Sequence, residues 1–264
     1  MAGIRAGMLG LVAALCAVAA AAGEADLGTD RDAFTPAADT VGAGQGLVEG
    51  SYVFIDNLTG LPTNNYPELL VRIGASDRFE WRLGANYGVG SQGNVVTSVE
   101  VGEGTAAGAA DYESSLLYGF KAAVSEQAGL VPESCFIMEA STPAYGEVFG
   151  TVPVATLVGG WELPSGSRLD AAIRYAYAEA EEAWFSRWTP SVVLRRPMTE
   201  RWEVHAEYFD SLTQGLVTDT RRGFFSPGTH ILLTDRLEVG VRVGWGVTAD
   251  AAPFFSDAGF GYRW

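Results

Sequence analysis

Residues 237–247 read Leu237-Glu238-Val239-Gly240-Val241-Arg242-Val243-Gly244-Trp245-Gly246-Val247. Every second residue is apolar, and the residues between them are charged or glycine. Successive side chains of a β-strand leave opposite faces. This stretch therefore predicts a strand with one apolar face and one face of charged residues and glycine.

The same period of two recurs along the chain and predicts twelve strands. Their approximate bounds are 46–56, 67–74, 79–87, 111–124, 133–141, 152–162, 167–178, 183–196, 201–209, 229–234, 237–248 and 254–264. Tight turns are expected at 75–78, 163–166, 197–200 and 235–236. Longer loops are expected at 57–66, 88–110, 142–151, 210–228 and 249–253, while the connections at 125–132 and 179–182 depart from this alternation. Short turns at one end and long loops at the other are typical of outer-membrane barrels.

The N-terminus predicts export. Arg5, the apolar run of residues 8–19 and the small residues Ala20-Ala21-Ala22 indicate a signal peptide over residues 1–22. Residues 23–44 are polar, with glycine and proline, and predict an extended periplasmic arm that plugs or lines the mouth of a barrel. No later stretch has the apolar length of a membrane helix, so residues 45–264 can enter a membrane only as a closed barrel.

The charge balance excludes one class of partner. The chain has 17 Lys and Arg against 32 Asp and Glu, a net charge of −15. It lacks the basic surface that neutralises phosphates, so nucleic-acid binding is not expected. Cys135 is the lone cysteine once Cys16 leaves with the signal peptide. We therefore expect no internal disulfide, and Cys135 should pack as a small apolar residue.

The alternation alone leaves open which face lines the interior. A soluble, lipocalin-like barrel would turn its apolar face inward. Glycine within the charged rows, as at Gly74 after Arg72, favours the reverse because it leaves room for long charged neighbours in a lumen. The apolar rows are large and aromatic, as at Trp81 and Trp202, and the final strand is aromatic too.

These features predict an all-β fold: a transmembrane, antiparallel, up-and-down β-barrel of about twelve strands in the outer membrane. Its expected partners are the lipid bilayer, small-molecule solutes, and the outer-membrane assembly machinery, which would recognise the C-terminal strand.

Three segments carry a family resemblance: Thr29-Asp30-Arg31-Asp32-Ala33-Phe34-Thr35 with Gly46-Leu47-Val48-Glu49-Gly50-Ser51-Tyr52, the hairpin of residues 68–84, and the closing residues 258–264. They resemble the outer-membrane proteins of the MetA pathway of phenol degradation, although Trp264 stands where phenylalanine is more usual. The resemblance implies a transporter barrel for small molecules, including hydrophobic or aromatic compounds. It carries over no catalytic residue.

The charged rows predict a mixed-charge lining of the lumen. The candidate pore-lining residues are Glu49, Arg72, Glu80, Arg82, Asp170, Arg174, Glu203, His205, Glu207, Glu238, Arg242, Asp257 and Arg263. In a channel, opposed glutamate and arginine side chains constrict the lumen and set a field across it. Alternatively, the same network fills and rigidifies a barrel that passes nothing. Both alternatives stay open, because a twelve-stranded bore lies between a filled small barrel and a porin.

Catalytic chemistry is not expected. Glu203, His205 and Glu207 share one face of a strand, but same-face neighbours lie about 7 Å apart, too far to share a ligand unless another strand contributes. We therefore predict a lumen hydrogen-bond network here, with no metal and no cofactor. The other histidine, His230, lies in the predicted strand 229–234, directly after the loop residues Ser226-Pro227-Gly228. The chain has no nucleophile elbow. A hydrolase centred on His205 or His230 is the least favoured alternative.

Two loops need comment. Gly88-Val89-Gly90-Ser91-Gln92-Gly93 matches the G-x-G-x-x-G pattern, but the residues after it are polar and strand-like where a dinucleotide site needs a helix. It is interpreted as a flexible loop. The acidic loops 88–110 and 210–228 would meet external partners in a further alternative, a non-conducting structural or adhesive barrel.

Overall fold

The computed structural model of the 264-residue chain describes residues 27–91, 93–98, 111–145, 150–180, 183–215 and 219–264. The expected signal peptide lies outside the described residues. The described part of the chain contains no helix that is long and apolar enough to span a membrane.

Twelve antiparallel strands form a closed barrel, which confirms the predicted fold. The strands are β1 (Gly46–Asp56), β2 (Thr63–Ser76), β3 (Phe79–Gly90), β4 (Asp111–Ser125), β5 (Glu133–Tyr145), β6 (Val152–Glu162), β7 (Arg168–Ala180), β8 (Ala183–Thr199), β9 (Trp202–Gln214), β10 (Arg221–Thr234), β11 (Leu237–Gly246) and β12 (Phe254–Arg263). Each strand pairs with its neighbours in sequence, and β1 pairs with β12 to close the barrel.

The largest correction concerns β10. Residues 210–228 were expected as a loop, yet β9 runs to Gln214 and β10 begins at Arg221. The turn-forming run Ser226-Pro227-Gly228 lies inside the strand, with Pro227 opposite Ala206 and Gly228 opposite His205. A Cβ on Gly228 would clash with the His205 imidazole, so this glycine makes space for a lumen side chain instead of forming a turn.

The alternation of connections is present in the structure, with the two expected exceptions: the link after β4 spans residues 126–132, and the link after β7 is only two residues long. The links after β2, β8 and β10 are two residues long, while those after β3 and β11 span residues 91–110 and 247–253. We call the ends of the barrel the turn end and the loop end. Both β1 and the C-terminal strand reach the turn end, where Gly46 and Trp264 exchange backbone hydrogen bonds.

The exterior of the barrel is apolar and the interior is charged. Trp81, Val241 and Tyr262 are 53%, 56% and 41% exposed, whereas Arg82 and Arg242 are 2% exposed. Large apolar side chains on the outside and ionised ones inside are the reverse of a soluble barrel. This surface is built for hydrocarbon, and it places the protein in the outer membrane.

Aromatic side chains border the apolar surface at both ends. Towards the loop end, successive ring centroids 6.2–6.5 Å apart link Tyr52, Tyr66, Tyr87 and Tyr112. Towards the turn end, Phe79 lies 5.0 Å from Trp81 and 5.3 Å from Phe120 between ring centroids. Such girdles are typical of the two membrane–water boundaries of an outer-membrane barrel.

Candidate functional site

The candidate functional site is the lumen. Of the thirteen predicted lining residues, all but Arg263 are buried, and Arg263 is half-buried. All thirteen lie on strands whose opposite face is apolar and exposed. Their neighbours in the lumen include charged residues that the sequence analysis did not single out: Lys121, Glu139, Arg187 and Arg195.

The lumen is occupied by the chain's own N-terminal arm, residues 27–45. Starting near Glu238 at the turn end, the arm rises to Phe34, which packs against Phe209 of β9. It then returns past Cys135 of β5 and Glu80 of β3 to the start of β1. The side chains of residues 29–35 are all buried. The arm therefore enters from the turn end and folds back on itself inside the barrel.

Asp30 is the first ionic anchor of the arm. Its carboxylate lies 2.5 Å from Arg82 Nη1, 2.7 Å from Lys121 Nζ and 3.6 Å from Arg72 Nη1. Burial alone would raise the pKa of Asp30, but the charges of Arg72, Lys121 and Arg82 outweigh it and hold the pKa well below its usual range. Three strands are thus joined through one arm carboxylate.

Two more arm residues make ion pairs on the opposite wall. Arg31 Nη1 lies 2.9 Å from Asp257 Oδ1 of β12. Asp32 lies 3.3 Å from Arg195 Nη2 and 3.4 Å from His230 Nδ1. The alternating charges of Asp30-Arg31-Asp32 therefore point to different sides of the lumen, as expected for an extended segment.

Wall carboxylates also hold the backbone of the arm. Glu49 Oε2 accepts hydrogen bonds from the N–H groups of Asp30 and Arg31 at 2.8 and 2.9 Å. Glu207 accepts the N–H groups of Phe34 and Thr35 at 2.9 and 2.6 Å. Glu49 and Glu207, two of the predicted lining residues, thus accept hydrogen bonds from the arm.

A second segment enters the lumen from the loop end. Residues 93–98 follow β3, and Val95 and Val96 are buried. Arg242 Nη2 donates to the Val96 carbonyl at 2.9 Å, and Arg174 Nη2 donates to the Ser98 carbonyl at 2.9 Å. This inserted segment lies within the expected loop, but the pattern of glycines did not predict its place in the lumen.

The arm and the inserted segment meet at an apolar cluster, which we call the lumen cluster. It consists of Phe34, Val53, Ile55, Val95, Val96, Phe209, Phe224, Ala251, Ala252 and Phe255. Phe34 and Phe209 stack with ring centroids 4.7 Å apart, and Phe224 lies 5.1 Å from Phe209. Arg174 and Arg242 lie over the rings of Phe34 and Phe255, with Cζ–centroid distances of 5.9 and 5.2 Å.

The sequence carried a usable signal for the lumen cluster. Phe209 shares the parity of Glu203, His205 and Glu207, and Phe255 shares that of Asp257. Side chains of one parity lie on one face, so both rings had to point inward with the charges. The choice of arm partners carried no such signal, because it depends on the path of an irregular segment.

A small cavity remains beside the arm. It is lined by Phe34, Pro36, Arg82, Glu139, Thr156 and Arg174, among others. It lies between the arm and strands β5–β8, on the side away from the phenylalanines of β9, β10 and β12. The lumen is therefore not filled evenly.

Both histidines lie in the lumen. His205 of β9 and His230 of β10 are 3% and 1% exposed, with ring centroids 6.1 Å apart. His230 lies on β10, within the predicted strand 229–234. The hydroxyl of Ser226 donates to the Val243 carbonyl at 3.0 Å.

Comparisons with known proteins agree with this architecture. An outer-membrane channel from Pseudomonas putida F1 superposes with a TM-score of 0.60, at 9% sequence identity, over 86% of this chain and 98% of that one. The NanC porin superposes with a TM-score of 0.50, at 10% identity, over 82% of this chain and 98% of that one. No protein-family model matches the chain, and no curated protein matches it in sequence. The similarity to channels and porins thus lies in the fold of the outer-membrane barrel.

Proposed function

We propose that this protein is a plugged outer-membrane channel, in which small solutes pass through the charged lumen when the N-terminal arm leaves it. The observation that carries the proposal is the polarity of the contact between arm and wall. Apart from the apolar packing of Phe34, the arm is held by ion pairs from Asp30, Arg31 and Asp32 and by wall carboxylates on backbone N–H groups.

A polar contact of this kind favours reversible docking. Permanent contacts between protein surfaces are more apolar, whereas surfaces that associate and separate keep polar groups that water can solvate after separation. Buried ion pairs also add little net stability over apolar packing of the same volume. An arm meant only to fill the barrel would be better served by apolar side chains.

The lumen cluster supports small aromatic solutes as the class that passes. The ring of Phe34 occupies a slot between Phe209, at 4.7 Å, and the guanidinium of Arg174, at 5.9 Å. When the arm leaves, the slot offers an aromatic face and a cation to a planar ring, which are two favourable contacts for such a solute. The resemblance to outer-membrane proteins of phenol degradation agrees with this class.

The position of the two histidines argues against hydrolysis and agrees with passage of solutes. His205 and His230 lie inside the lumen beneath the arm, away from the lipid boundary and the outer rim where barrel hydrolases bind their substrates. A channel lining also uses the mixture of glutamate and arginine that the lumen presents.

The chain provides a direct test through its own Cys135. Ala38 of the arm and Cys135 of β5 belong to one buried cluster, so Ala38→Cys places a second thiol near Cys135. A disulfide between them, verified by the loss of both free thiols on oxidation, locks the arm to the wall. Planar-bilayer conductance and uptake of aromatic solutes into liposomes are measured with the oxidised and the reduced variant. The matched control is Ala38→Cys combined with Cys135→Ser, which cannot form the lock.

The proposal expects the oxidised variant to be closed, the reduced variant to conduct like wild type, and the control to ignore the oxidant. Equal conductance in the oxidised and reduced variant would show that the arm is no gate.

A second candidate, a non-conducting structural barrel, is favoured by the inserted segment 93–98, which occupies the lumen from the loop end and is held by Arg242 and Arg174 of the wall. Absence of both conductance and solute uptake in the reduced variant, with the protein shown to be folded, would select it.

A further inference from the structure

Two histidines and one aspartate converge below the lumen cluster. Asp32 of the arm, His205 of β9 and His230 of β10 are all buried, and one potential ligand atom of each lies within 4.8 Å of the others. The chain has only two histidines, and both are here. The sequence analysis expected no metal because residues on one strand cannot share a ligand, but three different elements contribute to this cluster.

The strand register explains how the histidines meet. His205 lies opposite Gly228 and His230 lies opposite Glu203, so the two imidazoles are diagonal neighbours on adjacent strands. Side chains on such a diagonal lie within reach of each other. Gly228 keeps the space beside the His205 ring open, since a Cβ there would clash with it.

The environment of His205 is an independent indication that this cluster binds a ligand. Its side chain is 1% exposed, and among the described residues neither Nδ1 nor Nε2 has a hydrogen-bond partner. Nδ1 lies 4.0 Å from Asp32 Oδ2, too far for a hydrogen bond but suitable for two ligands on one ion. Buried imidazole nitrogens are normally hydrogen-bonded or bound to a metal, because burial without a partner is costly.

His230 has the environment of a metal ligand. Its Nδ1 lies 3.4 Å from Asp32 Oδ2, and its Nε2 lies 3.2 Å from Glu203 Oε1. A carboxylate beside the second nitrogen of a metal-binding histidine fixes the ring and its tautomer, as in carboxylate–histidine–zinc arrangements. Glu203 is placed to do this, leaving Nδ1 towards Asp32 and His205.

We propose that Asp32, His205 and His230 bind a divalent transition-metal ion of the Zn²⁺ class, which tethers the arm to β9 and β10. Two imidazoles and one carboxylate are donors that such ions prefer over Ca²⁺ or Mg²⁺. Arg195, which also contacts Asp32, retains Asp170 at 2.6 Å as a partner when the ion takes the Asp32 oxygen. Metal binding does not require that the barrel conducts, so this proposal goes beyond the proposed function.

The test uses the full-length mature protein without a histidine tag, folded in detergent. Binding of Zn²⁺ is measured by calorimetry, and Co²⁺ is added to record the absorption bands of its ligand field. The variants are His205→Gln, His230→Gln, Asp32→Asn and Glu203→Gln. The matched control is Asp235→Asn, at an exposed turn, which removes the same charge outside the lumen and touches neither the arm nor the cluster. Folding of every variant is checked by heat-modifiable electrophoresis.

The proposal expects one ion per chain and visible Co²⁺ bands in wild type and in Asp235→Asn. It expects both to be lost in the His205 and His230 variants, with Glu203→Gln weakening affinity by about 10- to 100-fold. No stoichiometric binding in wild type, or equal binding in the folded His205→Gln variant, would overturn the site.

The tether is read separately from the reactivity of Cys135, which lies under the arm with its Sγ 3.9 Å from the Ala37 carbonyl oxygen. Zn²⁺ should slow maleimide labelling of Cys135 in wild type and leave the rate unchanged in His205→Gln. Stoichiometric Zn²⁺ binding with no change in labelling would refute the tether. Loss of conductance gating, by contrast, would bear only on the proposed function.

Discussion

Phe34 of the arm stacks on Phe209 of β9 with ring centroids 4.7 Å apart and ring planes 9° from parallel. This pair joins a segment without regular structure to a strand held on both sides by hydrogen-bonded neighbours. The stack therefore stabilises the docked arm more than it stabilises the barrel. The variants below separate these two contributions.

Phe34→Ala should release the arm while the barrel stays folded. Truncating a buried phenylalanine typically costs about 3–5 kcal/mol, and the arm can leave instead of tolerating a cavity. We expect maleimide labelling of Cys135 to accelerate by at least about tenfold, the equivalent of 1.4 kcal/mol. Phe260→Ala, which removes a lipid-facing ring of the same size, is the control and should label at the wild-type rate. Equal rates for both variants would mean that the stack does not hold the arm.

Asp30→Asn should expose the arm to protease. The substitution leaves Arg72, Arg82 and Lys121 without their shared anion on the arm, and breaking one partner out of a buried ionic group costs about 3–5 kcal/mol. Trypsin should then cut after Arg31, which is 5% exposed in the docked arm. Intact mass spectrometry measures the cleavage. Asp56→Asn, at an exposed end of β1, removes the same charge without touching the arm, and its cleavage should stay slow.

Arg242→Gln should shift ion selectivity towards cations. Arg242 is a cation of the inner wall between Glu207 and Asp257, at 3.3 and 3.2 Å, so its loss makes the lumen more negative. The reversal potential across a bilayer with a KCl gradient measures the shift. Arg201→Gln, at an exposed turn, loses the same charge outside the lumen. A reversal potential unchanged in conducting Arg242→Gln would remove this side chain from the selectivity determinants.

Gly119→Ala should destabilise the barrel itself. A Cβ at Gly119 of β4 would clash with the Met138 carbonyl oxygen of β5, so the strand has to shift. Overpacking of this kind costs about 1–3 kcal/mol, seen as a lower urea midpoint in lipid vesicles. At Gly159 the nearest atom would be 3.4 Å away, an ordinary contact, so Gly159→Ala should unfold close to the wild-type midpoint. Equal midpoints would argue that the wall relaxes freely around position 119.

Strands with strict alternation were predictable from local pattern alone. In β11, Val241 and Arg242 had to face opposite sides, and only the environment of each side remained to be chosen. The first half of β10 was missed for a physical reason. Ser226-Pro227-Gly228 normally forms a turn, but here Pro227 is tolerated within the wall and Gly228 yields space to His205.

The composition of the lumen was predictable in part. Parity placed Glu207 and Arg242 on the inner face, yet their partners depend on contacts between residues far apart in sequence. Asp32 meets His205 and His230 only because the arm folds back inside the barrel and because β9 and β10 adopt one particular register. The path of an irregular arm leaves no periodic signature in the chain, and the pairing of Gly228 with His205 was missed because the strand was predicted to begin only at residue 229.

The seam between β1 and β12 has a consequence for biogenesis. Arg31 pairs with Asp257 of β12, and Gly259 and Gly261 of that strand lie so close to Arg31 and Thr29 that a Cβ would clash with either. Strand β12 thus completes the socket into which Thr29 and Arg31 fit. The arm can therefore dock fully only after β1 and β12 have paired. A docked arm then indicates that the barrel has closed.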